Sequence, residues 1–223
     1  MDTFVHTYRL QHIDAVLPST KTLYNYIHQG LLEIKVIDLP RAVRIRKKFT
    51  KRPSTKKHLG KSIEERPEEI NNRSRFGDWE IDSVLSGKTV GEPSILTLVE
   101  RQTRYAVTKK LVEKKAEYVN QAVLECIKLY PIKSITADNG NEFSSLSKTE
   151  GLDVYFAHAY SSYERGTNEN FNGLLREFIP KGSSLKELKP TLLEDYTKAI
   201  NERPRRIHGY QSAKKLFELT QTA

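Results

Sequence analysis

A mixed β-sheet flanked by helices is the α/β fold class this sequence predicts. Three observations carry the prediction. Between Trp79 and Val112, three apolar, β-rich segments follow one another with short connections, as in a meander. From Lys115 onward, amphipathic helical periods alternate with short apolar runs, the pattern of a sheet covered by helices. The 223 residues, 37% of them apolar, suffice for one core-forming domain and a small appendage.

Residues 1–40 read as a partial DNA-binding region resembling a helix-turn-helix. Pro18 and Ser19 precede TKTLYNYIHQG, where Ser19 suits an N-cap, Leu23, Tyr26 and Ile27 share a face, and Gly30 suits a terminator. Lys21, Thr22, Asn25 and His28 then point outward, as on a recognition helix, although a plain amphipathic helix fits equally well. LLEIKVIDL reads as a strand. Residues 41–62 read as a basic linker: Arg41 to Lys61 holds ten Lys or Arg and no Asp or Glu. Unopposed charges repel one another unless an anion is present. Arg46, Lys47, Lys48, Lys51 and Arg52 are therefore expected on DNA phosphates, where each contact releases counterions; a solvated tether is the alternative.

Residues 63–223 read as the core domain, with its compact pattern setting in near Arg75. WEIDSVLS, PSILTLVE and RYAVTKKLV are strands, the last two made antiparallel neighbours by the tight connection at 101–103. Lys115 to Leu129 is a helix with Val119, Ala122, Val123, Cys126 and Ile127 at helical spacing. KSITA and DVYFA are short strands, and helices lie within Glu164–Ile179 and Pro190–Asn201.

Composition narrows the function. A net charge of +9 favours a polyanionic partner. No run approaches the 18 or so apolar residues of a membrane span, and the first residues lack a secretory leader. The single cysteine, Cys126, makes neither an internal disulfide nor a thiolate zinc site and reads as a buried bystander. A reducing, cytoplasmic and nucleoid-associated setting follows.

Three acidic positions stand out. In GDWEIDSV, strand alternation puts Asp78, Glu80 and Asp82 on one face. Carboxylates so arranged repel without a cation; a solvated edge-strand face is the bland reading. Asp138 ends the apolar strand of SITADNGNEF, where catalytic groups collect, although Asn-Gly is also a turn signal. Glu169 opens a helix whose buried stripe is Phe171, Leu174, Leu175 and Phe178. With Asn172 and Arg176 it forms a polar column, and the helix dipole favours an anion in that first turn. Glu164 competes but precedes Gly166 in a loop. Several carboxylates from different elements, gathered on a pair of hard cations, are what two-metal phosphoryl transfer needs. One cation activates water or a 3′-hydroxyl and the other stabilises the leaving oxygen. The chain has no GxxxxGK[ST] nucleotide loop. Arg165, Arg176 and Lys181 flank Glu169 and are expected, with Asn172, to face DNA. His158 lies in a loop as a structural residue or a DNA contact. Tyr155, Phe156 and Tyr160 are read as core.

RPEEINNRSRFGDWEIDSV, ITADNGNEF, SSYERGTNENFNGLLREFIPKG and NERPRRIHGYQSAKKLFEL together resemble the catalytic domain of insertion-sequence transposases of the IS30 family, over about residues 60–220. The resemblance implies a ribonuclease-H-like, retroviral-integrase-type core. It implies a catalytic and metal-binding triad of Asp82, Asp138 and Glu169, with Mg²⁺ or Mn²⁺. DNA is the implied partner, as terminal inverted repeats and target, cleaved and joined by a homo-oligomer in a synaptic complex. Asp78 stands where the family usually has His, and Ile81 where it usually has Gly. A truncated, unproductive DNA-binding copy and a nuclease of the same fold are the competing functions.

Overall fold

The computed structural model describes residues 1–14, 16–39, 59–85, 91–159 and 161–222. The chain divides into Met1–Pro53 with Pro204–Ser212, and Ser54–Arg203 with Ala213–Ala223.

In the larger unit a six-stranded sheet runs in the order β1-β6-β5-β2-β3-β4. The strands are β1 (Lys61–Ser62), β2 (Asp78–Leu85), β3 (Ser94–Glu100), β4 (Ala106–Leu111), β5 (Ser134–Ala137) and β6 (Asp153–Phe156). β2, β3 and β4 form the antiparallel meander read from sequence, and β5 and β6 add in parallel beyond β2. The turn between β3 and β4 is tight enough to hold Arg104 at φ 61°. Lys61 and Ser62 pair with β6, so the residues assigned to the end of the linker belong to the sheet.

Strand alternation sorts the core onto two faces. Trp79 and Ile81 of β2, with Leu96 and Leu98 of β3, pack against Val119, Val123 and Cys126 of α4 (Ala116–Leu129) and against Phe217 of α7 (Ala213–Gln221). Val84, Ile95 and Val99 point the other way, onto Phe171 and Leu175 of α5 (Gly166–Phe178) and Leu193 and Ile200 of α6 (Pro190–Glu202). Numbered in chain order, the remaining helices are α1 (Asp2–Gln11), α2 (Thr20–His28) and the short α3 (Glu68–Asn71). Cys126 is fully buried, as its spacing suggested. β4 closes one margin of the sheet, and there the Asn201 side chain accepts from Ala106 N at 2.9 Å and donates to Ala106 O at 2.8 Å. No helix among the described residues is long and apolar enough to cross a membrane.

In the smaller unit, Ser19 caps α2 by accepting from Thr22 N at 3.1 Å, and Gly30 follows the helix at φ 70°. Lys21, Asn25 and His28 are exposed. α1 was not read from sequence. The C-terminal segment secures it: His6 stacks on Tyr210 at 3.7 Å, and Tyr210 donates its hydroxyl to Asp2 at 3.0 Å. The strand expected over LLEIKVIDL does not form. A single 3₁₀ turn, Val36–Asp38, occurs there instead. Leu31 and Ile37 are 64% and 75% exposed: among the described residues of this unit there is no strand for the apolar run to pair with.

Candidate active site

Register builds the site. β2 and β5 run parallel with Asp78 opposite Ser134 and Glu80 opposite Thr136. Carried two residues further, the same offset sets Asp138 beside Asp82, at the carboxyl ends of neighbouring strands. Chain crossings leave such ends open and their side chains free to project. The Asn-Gly after Asp138 makes no hairpin, because β5 and β6 are parallel and need a crossover. The chain enters a 3₁₀ turn at Asn141–Phe143. Gly140 N donates to Asp138 Oδ1 at 2.8 Å, and Asn139 donates to Ala157 O at 2.6 Å, fixing the loop. A Cβ at 140 would fall 2.8 Å from Asp138 Oδ1 and 2.5 Å from Glu142 Oε2, so the two carboxylates would have to shift to admit it.

The face Asp78–Glu80–Asp82 is not a solvated edge. β2 lies inside the sheet, with β5 on one side and β3 on the other. Asp78 and Glu80 are 1% and 0% exposed. The repulsion expected among these acids is met by three arginines, one for each. Arg75 pairs with Asp78 at 2.7 Å, and Ser134 donates to the same carboxylate at 2.6 Å. Arg101, 4% exposed, pairs with Glu80. Burial lowers the Arg101 pKa from the usual range, and Glu80 pulls it back up. Glu80 Oε2 also accepts from Asn168 N at 2.9 Å, so this buried acid holds the first turn of α5. Asn168 finishes the anchor through its side chain, donating to Glu80 O and Thr97 O at 3.0 and 3.1 Å.

The third arginine is Arg165. Sequence reading assigned it to DNA phosphate at the surface, but it is 8% exposed and lies between the two strand-end acids. Its Nη1 is 3.3 Å from Asp82 Oδ1 and its Nη2 is 3.2 Å from Asp138 Oδ2. Nη1 also donates to Ile81 O at 3.2 Å. Asp82 is held from two further directions, by Ser83 N at 2.9 Å and by Asn172 Nδ2 at 2.9 Å. The Asn172 amide oxygen accepts from Thr97 at 3.1 Å. Burial pushes the Asp82 carboxyl above the ordinary carboxylate range, and the neighbouring Arg165 guanidinium opposes that push.

Residues 165, 169, 172 and 176 follow the helical repeat along one strip at the start of α5. Arg165 and Asn172 both reach Asp82, and Glu169 stands between them on the solvent-exposed margin. Among the described residues no three His, Cys, Asp or Glu side chains are gathered to hold a metal ion, so Glu169 does not join the two aspartates here. Asp82 and Asp138 nevertheless share a cationic group, and their hard oxygen donors fit Mg²⁺ or Mn²⁺, which bind through one or two carboxylates and keep other positions for water and phosphate.

The other sequence-selected residues fall into distinct places. Glu164 is bound to His158, accepting from its backbone N–H at 2.8 Å and meeting its Nδ1 at 2.8 Å. Glu64 approaches His158 Nε2 at 3.3 Å, so the imidazole is a brace between two 3₁₀ turns, Ile63–Glu65 and Ser162–Arg165, the latter replacing the loop expected at Glu164. Tyr155 and Phe156 are buried in the core. Arg176 directs its donors to carbonyls, with Leu85 O at 2.6 Å. Lys181 is exposed. Arg46, Lys47, Lys48, Lys51, Arg52 and Tyr160 lie outside the described residues. Sequence reading missed Thr97, Asn168 and the bridging position of Arg165. The spacing of Arg165 four residues before Glu169 was the one available signal.

No family model matches the chain. Over all 223 residues it is 95% identical to a probable transposase for the insertion-like sequence element IS1161 of Streptococcus salivarius, spanning 65% of that protein. Over 161 residues it is 36% identical to the transposase for insertion sequence element IS4351 of Bacteroides fragilis, covering 70% of this chain and 49% of that one. Over 165 residues it is 35% identical to transposase InsI for insertion sequence element IS30A of Escherichia coli K12, covering 71% and 42%. The chain is homologous to insertion-sequence transposases of the IS30 family. It spans under two thirds of the length of these relatives. The catalytic core domain of BIV integrase superposes with a TM-score of 0.50 at 17% identity, covering 66% of this chain and 96% of that one. That likeness shows the fold, the integrase-type, ribonuclease-H-like sheet expected from sequence.

Proposed function

We propose that this chain carries out metal-dependent cleavage and strand transfer of insertion-sequence DNA ends, with Asp82, Asp138 and Glu169 as its catalytic carboxylates. The observation that carries this reading is the pairing of Asp82 and Asp138 at adjacent parallel strand ends around one cationic group. Homology to insertion-sequence transposases and the integrase-type fold support it. Asp82 and Asp138 would hold Mg²⁺ or Mn²⁺, with Glu169 closing in from α5. The bound ions supply Lewis-acid polarisation of the scissile phosphate and a nucleophile at neutral pH.

The protein's own share is positioning and electrostatics. Ser83 N and Asn172 fix the Asp82 carboxylate, and Gly140 N fixes Asp138, so the oxygens are oriented before any substrate arrives. Glu80, through Asn168, locks the first turn of α5 and with it the position of residue 169. The N-terminus of α5 adds a partial positive charge facing the phosphate side. Terminal inverted repeats and target DNA are the proposed substrates, a homo-oligomer holding two ends the proposed assembly, and Arg46, Lys47, Lys48, Lys51, Arg52 and Lys181 the proposed phosphate contacts.

The test is Mg²⁺-dependent nicking and joining of labelled terminal-repeat DNA by the chain, beside Asp138→Asn and Glu169→Gln. Loss of both reactions in each variant, with DNA binding retained, is expected. Joining that survives in Asp138→Asn would overturn the assignment. Cleavage of any duplex without joining would make the chain a nuclease, and salt-sensitive binding with neither reaction an unproductive binder.

A further inference from the structure

We infer that Arg165 is a resident counter-cation of the acid pair, which divalent metal must displace and DNA phosphate can receive, so that metal and DNA binding reinforce each other through this one side chain. The inference rests on the metal site proposed above. Its ground is the difference between Arg165 and its two neighbours on the same strand face.

Arg75 meets Asp78 at 2.7 Å, and a buried hydroxyl completes that carboxylate. Such lengths belong to settled charge-assisted pairs. Arg75 reaches a second carboxylate, Glu69, at the same 2.7 Å, whereas Arg165 spans its two acids at 3.3 and 3.2 Å, one with each amino group. Its Nε is buried with no partner among the described residues. A buried donor left in that state keeps the full penalty of its lost hydration. The guanidinium thus neutralises both acids while leaving part of its own bonding unmet, as a stand-in does.

A divalent ion and a guanidinium cannot both occupy the gap between Asp82 and Asp138, because their charges repel and the acceptor oxygens are the same. Metal loading therefore requires Arg165 to leave. The next residue, Gly166, is exposed, so solvent begins one residue from Arg165 along the chain. Once out, the guanidinium stands at the N-terminal end of α5 with five donors in the fork that suits phosphate. DNA phosphate that holds Arg165 there removes a competitor of the metal. By linkage, metal that evicts Arg165 strengthens DNA binding by the same factor.

Manganese titration of the whole chain, by calorimetry, with and without a random-sequence duplex, tests this. In the wild-type chain the duplex should tighten Mn²⁺ binding, by about 5- to 150-fold if the coupling is of ordinary size. Arg165→Gln should bind Mn²⁺ more tightly than wild type without DNA, and the duplex should add little. Arg165→Lys keeps one charge but cannot bridge both acids, and should fall between; it serves if the glutamine variant fails to fold. Asp138→Asn should lose the site. Unchanged or weaker Mn²⁺ binding in a folded Arg165→Gln or Arg165→Lys chain overturns the inference and leaves the metal site standing. No Mn²⁺ binding in any chain overturns both.

Discussion

Removing the positive partner of Glu80 isolates a carboxylate with no route to water. Arg101→Met keeps most of the side-chain volume and deletes the charge, leaving Glu80 at 0% exposure. Breaking a buried pair from one side costs about 3–5 kcal/mol, because the surviving charge stays desolvated. Against a total stability of roughly 5–15 kcal/mol, that is a large share. With a urea dependence near 2 kcal/mol per molar, the unfolding midpoint should fall by about 2 M. Trp79 is the chain's single tryptophan, fully buried and adjacent to Glu80, so its fluorescence reports the transition where the damage is done. Glu80→Gln should be costly as well, since it strands the guanidinium. In the double variant Arg101→Met/Glu80→Gln neither member of this pair carries a charge, and glutamine still offers an oxygen to Asn168 N. Much of the loss should return. If the double variant instead costs the sum of the singles within about 0.5 kcal/mol, the two side chains are uncoupled and the buried-charge account is wrong.

Asn172→Ala should cut metal-dependent cleavage by about 10- to 100-fold, the usual effect of losing a residue that orients a ligand, with only a small change in melting temperature; an unaltered rate would remove Asn172 from the site. Gly140→Ala forces the new methyl against Asp138 and Glu142 and should cost about 1–3 kcal/mol in urea unfolding, whereas Gly166→Ala, with open space around it, should cost nothing. The hydrogen bond to Glu164 raises the His158 pKa above the ordinary value. The folded state therefore holds its proton longer than the unfolded chain. The resulting stabilisation is complete below the unfolded pKa of about 6.5 and is lost as pH rises through the higher folded value. Melting curves from about pH 5.5 to 8.5 should show that decline in wild type and a flatter course in Glu164→Gln; parallel courses would deny His158 the role.

Strands β2 to β6 were legible in the sequence because they carry clean apolar runs bounded by turns, and helices α2, α4, α5 and α6 because their apolar stripes are regular, whereas β1, α1, α3 and α7 were not. The N-terminal LLEIKVIDL misled for the same reason: an apolar run resembles a strand whether or not a neighbouring strand exists to pair with it. Within the site, alternation put Asp78, Glu80 and Asp82 on one face, and the strand-end position marked Asp138. Alternation does not say which strand is central, so the burial of Asp78 and Glu80 was not readable. Nor was the pairing of each acid with its own arginine, since Arg75, Arg101 and Arg165 lie 3, 21 and 83 residues from their partners in the chain and meet them only after folding. The part of Arg165 was hidden by habit as well: an arginine beside a motif of phosphate chemistry reads as a phosphate ligand, and only three dimensions show it turned inward.

Asn201 sits in a stretch, NERPRRIHGY, whose arginines invite a nucleic-acid reading, yet its amide copies the bonding of a neighbouring strand by giving and taking one hydrogen bond at Ala106. The outermost strand thus meets a side chain where another molecule's backbone could otherwise dock. A ladder continued through Ala106 is therefore closed to a second backbone, and the asparagine answers to the architecture of the protein.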